Sequence, residues 1–274
     1  MTSLHLSSLN SGSNGNCYYI GSDEEAVLID AGLSCRETEK RMYRLGLTMK
    51  KVKAIFISHE HGDHIRGLEV LSKKHQLPVY ISSDTLRNTS LQLDPGLVRP
   101  LVAGTPVPIG ALSVSAFLKH HDAADPHSFT VEDSHTCIGV FTDIGKVCEN
   151  LSAHFKRCHA AFLEANYDKD LLENGRYPYH LKKRISSGRG HLSNKEALDL
   201  FLSCRPPHMS HLFLSHLSAD NNDPELVRDL FCRHASTTHI LVASRYKETP
   251  VYAVSGWKAP VSGIPQALGQ LTLF

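Results

Sequence analysis

Phe56-Ile57-Ser58-His59-Glu60-His61-Gly62-Asp63-His64 is the stretch on which the fold turns. The apolar run in front of it, residues 54–57, has the length and composition of a short buried strand. Three imidazoles and two carboxylates then arrive within six positions, in the pattern H-x-H-x-D-H. Side chains at i and i+2 of an extended segment point the same way, so His59 and His61 can converge on one point at the strand's mouth. Gly62 frees the backbone to turn, and Asp63 and His64 can then face a second point nearby. Neutral imidazoles and carboxylates are the ligands that divalent ions such as zinc or manganese take. A mere surface histidine tract would lack the strand before it and the helix after it.

The chain has 274 residues, enough to bury a sizeable core, and a single domain over 1–274 is expected. Its net charge is +1 with histidine neutral, which excludes the bulk basic field of a non-specific nucleic-acid binder. Any polyanion contact must therefore be local. Histidine is over-used, with 18 residues against nine tyrosines and one tryptophan. The seven cysteines form no C-x-x-C pair and are odd in number, which suits reduced thiols better than a disulfide framework. Met1-Thr2-Ser3-Leu4-His5 shows no basic stretch followed by an apolar one, and no apolar run is long enough to span a bilayer. A soluble, cytoplasmic protein without membrane contact is expected.

Alternation and turn residues predict strands at 4–9, 17–21 and 26–29, the last ending in Asp30-Ala31-Gly32. This meander start argues against a Rossmann fold. A capping-box pattern at Ser34 and a stop at Gly46 predict a helix at about 35–45. A helix at 67–76, a strand at 79–81 and one short strand near 97–102 follow the histidine cluster. Residues 111–117 alternate and deliver His120 and His121; residues 128–132 and 136–141 pair as a hairpin that delivers Asp143. Residues 158–164 read as a buried strand ending in a polar residue, Glu164. A basic helical region interrupted at Pro178 spans about 167–186, and Ser193 opens a helix to about 204. A strand at 209–214 ends before His216, a helix runs from Pro224 to about 234, and a last strand covers 240–242.

Ligand-type residues thus follow four separate apolar strands: His59, His61, Asp63 and His64; His121; Asp143; and His216. Each sits where a sheet edge meets solvent, and together they predict one site for two divalent ions, zinc or manganese, with iron also permitted by ligand type. His59, His61 and His121 suit one ion, and Asp63, His64 and His216 the other. Asp143 suits the bridge, since two carboxylate oxygens can serve ions about 3.5 Å apart. His120, adjacent to His121, rivals it as third ligand of the first ion.

The order of these motifs, with I-D-A-G at 29–32, H-x-H-x-D-H at 59–64 and T-D-I-G at 142–145, resembles the metallo-β-lactamase superfamily over about residues 4–242. The resemblance implies an α/β (α+β) fold, a four-layer αββα sandwich with metals at one edge of two facing sheets. It also implies that Asp30 fixes the tautomer of a ligand histidine by accepting its other N–H. The fold hosts lactamases, thioesterases, oxidoreductases and nucleases, so it names no substrate. Residues 11–16, 121–126 and 214–222 are together similar to the YycJ/WalJ-type bacterial nucleases. Gly190-His191-Leu192-Ser193-Asn194 is similar to an element shared with tRNase Z, which implies that His191 faces the metals and touches the scissile phosphate. The helix opening at Ser193 would offer free N–H groups as a phosphate seat, with Ser218, Asn221 and Asn222 as further neutral donors. Lys182, Lys183, Arg184 and Arg189 could track a nucleic-acid backbone.

The expected activity is that of a dinuclear metal-dependent phosphodiesterase, in which a metal-bridging hydroxide attacks phosphorus in line. Asp63 orients the nucleophile, and His191 stabilises charge or protonates the leaving oxygen. The resemblance alone makes the substrate DNA rather than RNA, cut exonucleolytically from the 5′ end. No protein partner is expected. The alternative keeps the chemistry with a small or cyclic phosphodiester, as in the phosphonate-pathway phosphodiesterases. A thioester or lactam hydrolase fits less well, because an acyl substrate needs no phosphate seat. A binding protein without activity would not be expected to keep seven ligands.

Overall fold

In the computed structural model, which describes residues 3–256, the first three strands form where alternation predicts them. Residues 1–2 and 257–274, which the expected single domain also spans, lie outside the described residues. β1 (Leu4–Asn10), β2 (Cys17–Gly21) and β3 (Ala26–Ile29) make an antiparallel meander. α1 (Cys35–Arg44), capped by Ser34, then carries the chain across to β4 (Val52–Phe56), which runs parallel to β3. A parallel neighbour needs such a crossover. Within the histidine motif a single turn, α2 (Gly62–Ile65), begins at Gly62, where the sequence predicts only a turn. α3 (Leu68–His75), β5 (Val79–Ile81), α4 (Ser83–Arg87) and β6 (Val98–Pro100) complete this half.

The second half opens with β7 (Val107–Ile109), β8 (Leu112–Leu118), β9 (His127–Glu132) and β10 (Cys137–Phe141), all antiparallel neighbours. α5 (Glu149–Phe155) leads to β11 (Ala160–Glu164). The predicted basic helical region is two short helices, α6 (Lys169–Asn174) and α7 (Tyr179–Ile185), split at Pro178. α8 (Asn194–Cys204), β12 (His211–Ser215), α9 (Pro224–Cys232) and β13 (His239–Val242) follow, and β10 to β13 are mutually parallel. β14 (Tyr252–Val254) returns to pair with β1.

These strands form two seven-stranded sheets, ordered β14-β1-β2-β3-β4-β5-β6 and β13-β12-β11-β10-β9-β8-β7. The inner faces meet in one apolar layer: Tyr18 packs on Phe162 at 4.8 Å between ring centroids, and Phe56 meets Phe129 edge-on at 6.0 Å. Outside one sheet, Met42, Leu68 and Leu71 of α1 and α3 cover Leu28 and Ile55. Outside the other, Phe155, Phe201 and Phe231 of α5, α8 and α9 cover Phe141, Leu163 and Leu214. The result is a four-layer αββα sandwich.

Four short elements are not legible from pattern alone. β7 contains Pro108 and lies at a sheet edge, where proline is tolerated. α5 buries only Leu151 and Phe155, too few positions to reveal a helical period. α4 and β14 are equally short.

What matters for function is direction. β3, β4, β8, β10, β11 and β12 all end at the same edge of the sandwich, because β8 runs with β10 through their shared antiparallel neighbour β9. Ligands of open α/β sheets gather outside the carboxyl ends of strands in the same way. Replacing Phe162 with alanine should remove the ring that joins the two sheets and cost about 3–5 kcal/mol of stability. Urea unfolding of Phe162→Ala checks this, and a loss under about 1 kcal/mol would mean the sheets are held elsewhere.

Candidate metal centre

Each turn that leaves a strand at this edge points a donor atom inward. His59 Nε2 lies 3.1 Å from His61 Nδ1, and His121 Nε2 lies 3.3 Å from the same atom. Asp63 Oδ2 is 3.5 Å from both His64 Nε2 and His216 Nε2. Asp143 stands between the two groups, with Oδ2 3.2 Å from His64 Nε2 and Oδ1 3.6 Å from His216 Nε2 and 3.8 Å from His121 Nε2. A tetrahedral ion with bonds of about 2.0–2.1 Å separates its ligand atoms by roughly 3.3 Å, so both groups have the spacing of a coordination shell. His120, the rival of His121, is exposed, whereas His121 is buried and turned to the cluster.

Three of the residues that make these turns pay a backbone cost. Asp30, Asp143 and His216 follow β3, β10 and β12 with φ of 62°, 55° and 57°, a region that non-glycine residues rarely adopt. Such strain persists only where the surroundings over-determine it.

Those surroundings also fix the rings. Asp30 Oδ2 accepts from His64 Nδ1 at 2.7 Å, which leaves His64 Nε2 facing inward. Asp30 is itself held by the Ser58 backbone N–H and hydroxyl, at 2.8 and 2.9 Å. The Gly190 carbonyl accepts from His121 Nδ1 at 3.0 Å and orients that ring likewise. Asn16 donates to Asp63 Oδ2 at 3.1 Å through its side chain and to the Asp63 carbonyl at 2.7 Å through its backbone. Gly32 lets this approach happen: a Cβ there would lie 1.7 Å from the Asp63 carbonyl oxygen.

Glu164, which the sequence shows only as a polar strand end, is fully buried and accepts five hydrogen bonds. They come from the backbones of Asp143, Ile144 and Leu192 and from Nδ1 of His191 and of His216. The one available signal was its position, since it ends a strand of the same parallel set as the ligands. Lys119 is a second unforeseen residue, buried beneath the site with Nζ on the Thr142 carbonyl at 2.7 Å.

The electrostatics fit cations. Four carboxylates, Asp30, Asp63, Asp143 and Glu164, are buried or nearly so, and Lys119 is the buried lysine among them. Burial drives His121 down to about 4 and lowers His59, which leaves both rings neutral and able to ligate. Burial opposes ionisation of Asp63, yet His64 and His216 beside it hold its carboxyl down at about 2. Burial also disfavours a charged His216, but Asp143, Asp63 and Glu164 outweigh it and raise the ring to about 10. The cluster therefore calls for positive charge at that point, which a bound cation would supply. Asp143 Oδ2 and His216 Nε2 are buried without any hydrogen-bond partner, the state expected of metal ligands.

The predicted phosphate-binding residues are placed otherwise. Ser193 is fully buried and spends its hydroxyl on the capping box with Glu196. The N–H groups of Leu192, Ser193, Asn194 and Glu196 go to Glu164, Glu196, Tyr167 and Ser193, so those four donors of the predicted seat are already taken. Asn222 is bonded to Asn194 and to the carbonyls of Ala165 and Asn166, and Asn221 is buried against Ser218. These side chains shape the loop behind the site. His191 does face the cleft, a space of about 300 Å³ that it lines with Ser13, His61, Asp63, His121 and Arg184. Of the predicted basic stretch, Arg184 reaches this cleft, while Lys182 and Lys183 line a cavity on the other side of α7.

Residues 25–217 match the Beta-lactamase superfamily domain. The chain belongs to the metallo-β-lactamase superfamily. Among its relatives, the exodeoxyribonuclease YycJ of Bacillus anthracis is 36% identical over 230 residues, covering 82% of this chain and 86% of that protein. The exodeoxyribonuclease WalJ of Streptococcus pneumoniae is 30% identical over 223 residues, covering 80% and 83%. In shape, the metallo-β-lactamase fold protein YhfI from Bacillus subtilis superposes with a TM-score of 0.72 at 15% identity, over 92% of this chain and 100% of its own. The superfamily member described here is a metal-dependent hydrolase.

Two outcomes are expected. Stripping divalent metal with a chelator should lower the melting temperature, and zinc or manganese should restore it, because saturation a thousandfold above Kd is worth about 4 kcal/mol. A melting temperature indifferent to both treatments would refute the centre. Glu164→Gln should cost at least about 3 kcal/mol in urea unfolding, since it turns an acceptor into a donor facing buried N–H groups. Unchanged stability would show that the five hydrogen bonds are expendable.

Proposed function

We propose that this hydrolase is a dinuclear metal-dependent nuclease that removes nucleotides from the 5′ end of DNA. One ion would be held by His59, His61 and His121, the other by Asp63, His64 and His216, with Asp143 shared between them. Bound there, divalent ions would supply Lewis-acid stabilisation of phosphate charge and a water acidified for attack. The observation that carries the reading is His191: Glu164 holds its Nδ1 at 2.9 Å, so Nε2 is the ring atom left for the cleft.

In-line attack of a water oxygen on phosphorus breaks the P–O bond on the far side, and the departing oxygen needs a proton. His191 Nε2 is the group placed to deliver one or to bond a non-bridging oxygen. Asp63, tethered by Asn16 and 18% exposed, is the carboxylate that can orient the attacking water, whose proton is released to solvent. Arg184 brings a guanidinium to the same cleft for the phosphate. DNA as substrate is supported by the relatives YycJ and WalJ, both exodeoxyribonucleases. Polarity rests on the resemblance of residues 11–16, 121–126 and 214–222 to nucleases of that type.

End-labelled single- and double-stranded DNA and RNA, offered with manganese or zinc to metal-stripped protein, test this directly. Cleavage should require metal, vanish in Asp63→Ala and fall roughly a hundredfold or more in His191→Ala, the scale of one lost acid or electrostatic contact. The order in which labelled products shorten gives the polarity. Turnover of bis-p-nitrophenyl phosphate without cleavage of any polymer would shift the substrate to small phosphodiesters, and silence on both would sink phosphodiester chemistry.

A further inference from the structure

A second cavity adjoins the metal cleft and has no part in the chemistry above. It measures about 170 Å³ and is lined by Tyr177, Leu181, Arg184, Ile185, Gly190 and His191, together with Asp122. Arg184 and His191 border the metal cleft as well, so the two spaces meet across those side chains. α7 buries none of its side chains in the fold, and its apolar residues Leu181 and Ile185 line this cavity half-buried. Apolar surface left half-covered beside a reaction centre gains stability when an apolar group fills the space.

The walls specify that group. Tyr177 offers an aromatic ring whose hydroxyl is anchored on Asp220 Oδ2 at 3.0 Å. Arg184 is oriented by Asp122, with Nε 2.6 Å from Oδ2, yet its side chain stays 60% exposed. One aromatic ring, two aliphatic side chains and a guanidinium, next to the imidazole assigned to the scissile phosphate, suit a planar base joined to a phosphate.

We propose that this cavity receives the terminal nucleoside of the strand being cut, its base against Tyr177, Leu181 and Ile185 and the adjoining phosphate on Arg184. The inference rests on the phosphodiesterase reading and adds what is recognised at the strand end, a base as well as a backbone. A compartment for one base beside the scissile position favours release of single nucleotides. It also explains how a chain of net charge +1 can hold a polyanion end: apolar contact with the base replaces part of a basic track.

Two probes separate base from backbone: deoxyadenosine monophosphate and deoxyribose phosphate. The nucleotide should bind roughly tenfold more tightly, the order that one base stacked on an aromatic side chain supplies. The ratio is read twice, by inhibition of bis-p-nitrophenyl phosphate hydrolysis and by calorimetric titration of the metal-loaded protein, which needs no turnover. Tyr177→Ala and Leu181→Ala should bring the two affinities together, whereas Tyr177→Phe, which keeps the ring, should preserve most of the difference. Equal affinities in the unmodified protein, with turnover intact, would overturn the base compartment and leave the phosphodiesterase reading standing. A difference that survives both alanine variants would place base recognition elsewhere and overturn the assignment too. Equal affinities with no turnover of any phosphodiester would remove both readings.

Discussion

The buried carboxylate of Glu164 is the constraint on which the functional edge depends. A charge taken out of water is costly unless donors surround it, and here backbone and imidazole N–H groups from three segments do so. β10 reaches it through Asp143 and Ile144, β12 through His216, and the strap before α8 through His191 and Leu192. Strand β11 supplies the residue itself. One side chain thereby sets the spacing between Asp143 and His216, both proposed as metal ligands, and His191, proposed to meet phosphate. Asp30 does the same in the opposite sheet, where it joins the end of β3 to Ser58 and His64. The two carboxylates are the fixed points of the two sheets, and the proposed metal ligands are arranged around them.

This arrangement explains why the left-handed residues fall where they do. A strand that simply continued past the sheet edge would carry Asp30, Asp143 and His216 outward. With a positive φ at each position, Asp143 and His216 face the cleft and Asp30 sits behind it against Ser58 and His64. Every such residue costs of order 1–3 kcal/mol, which the apolar layer between the sheets and the hydrogen bonds of Glu164 and Asp30 must offset. Rigid strands then hold the ligand set, as a centre built on loops could not.

Much of this was legible in the chain. That the strand-end histidines and aspartates meet at one edge could be read because the apolar runs before them mark strand ends. The meander, the capped helices at Ser34 and Ser193 and the split at Pro178 follow from local chemistry. Glu164 was not legible as more than a polar end, since its importance lies in donors that come from residues 20 to 52 positions away. Ser193, Asn221 and Asn222 are amide and hydroxyl donors near a candidate site. The Ser193-Asn194-Lys195-Glu196 order does announce the capping box that takes the Ser193 hydroxyl. Nothing in the sequence announces the loop contacts of Asn221 and Asn222. The same limit hid Asn16, whose partner Asp63 lies 47 residues away.

The two sides of the cleft are built on different principles. The metal side consists of strand ends with buried carboxylates and constrained backbone. The opposite side consists of α7 and the segment up to Gly190, which bury little and carry exposed cations and half-covered apolar groups. Chemistry on phosphorus is the same for any phosphodiester, so it tolerates a rigid centre. Selection among polymers, ends and bases requires contacts that vary with the substrate, and those can be placed on a segment whose alteration leaves the sandwich intact. His191 is the junction: its Nδ1 belongs to the buried network through Glu164, and the rest of the ring opens on both the metal cleft and the cavity beside α7. On the proposed reading, a substrate seated against α7 would bring its phosphate to a group whose orientation the sheet has already fixed.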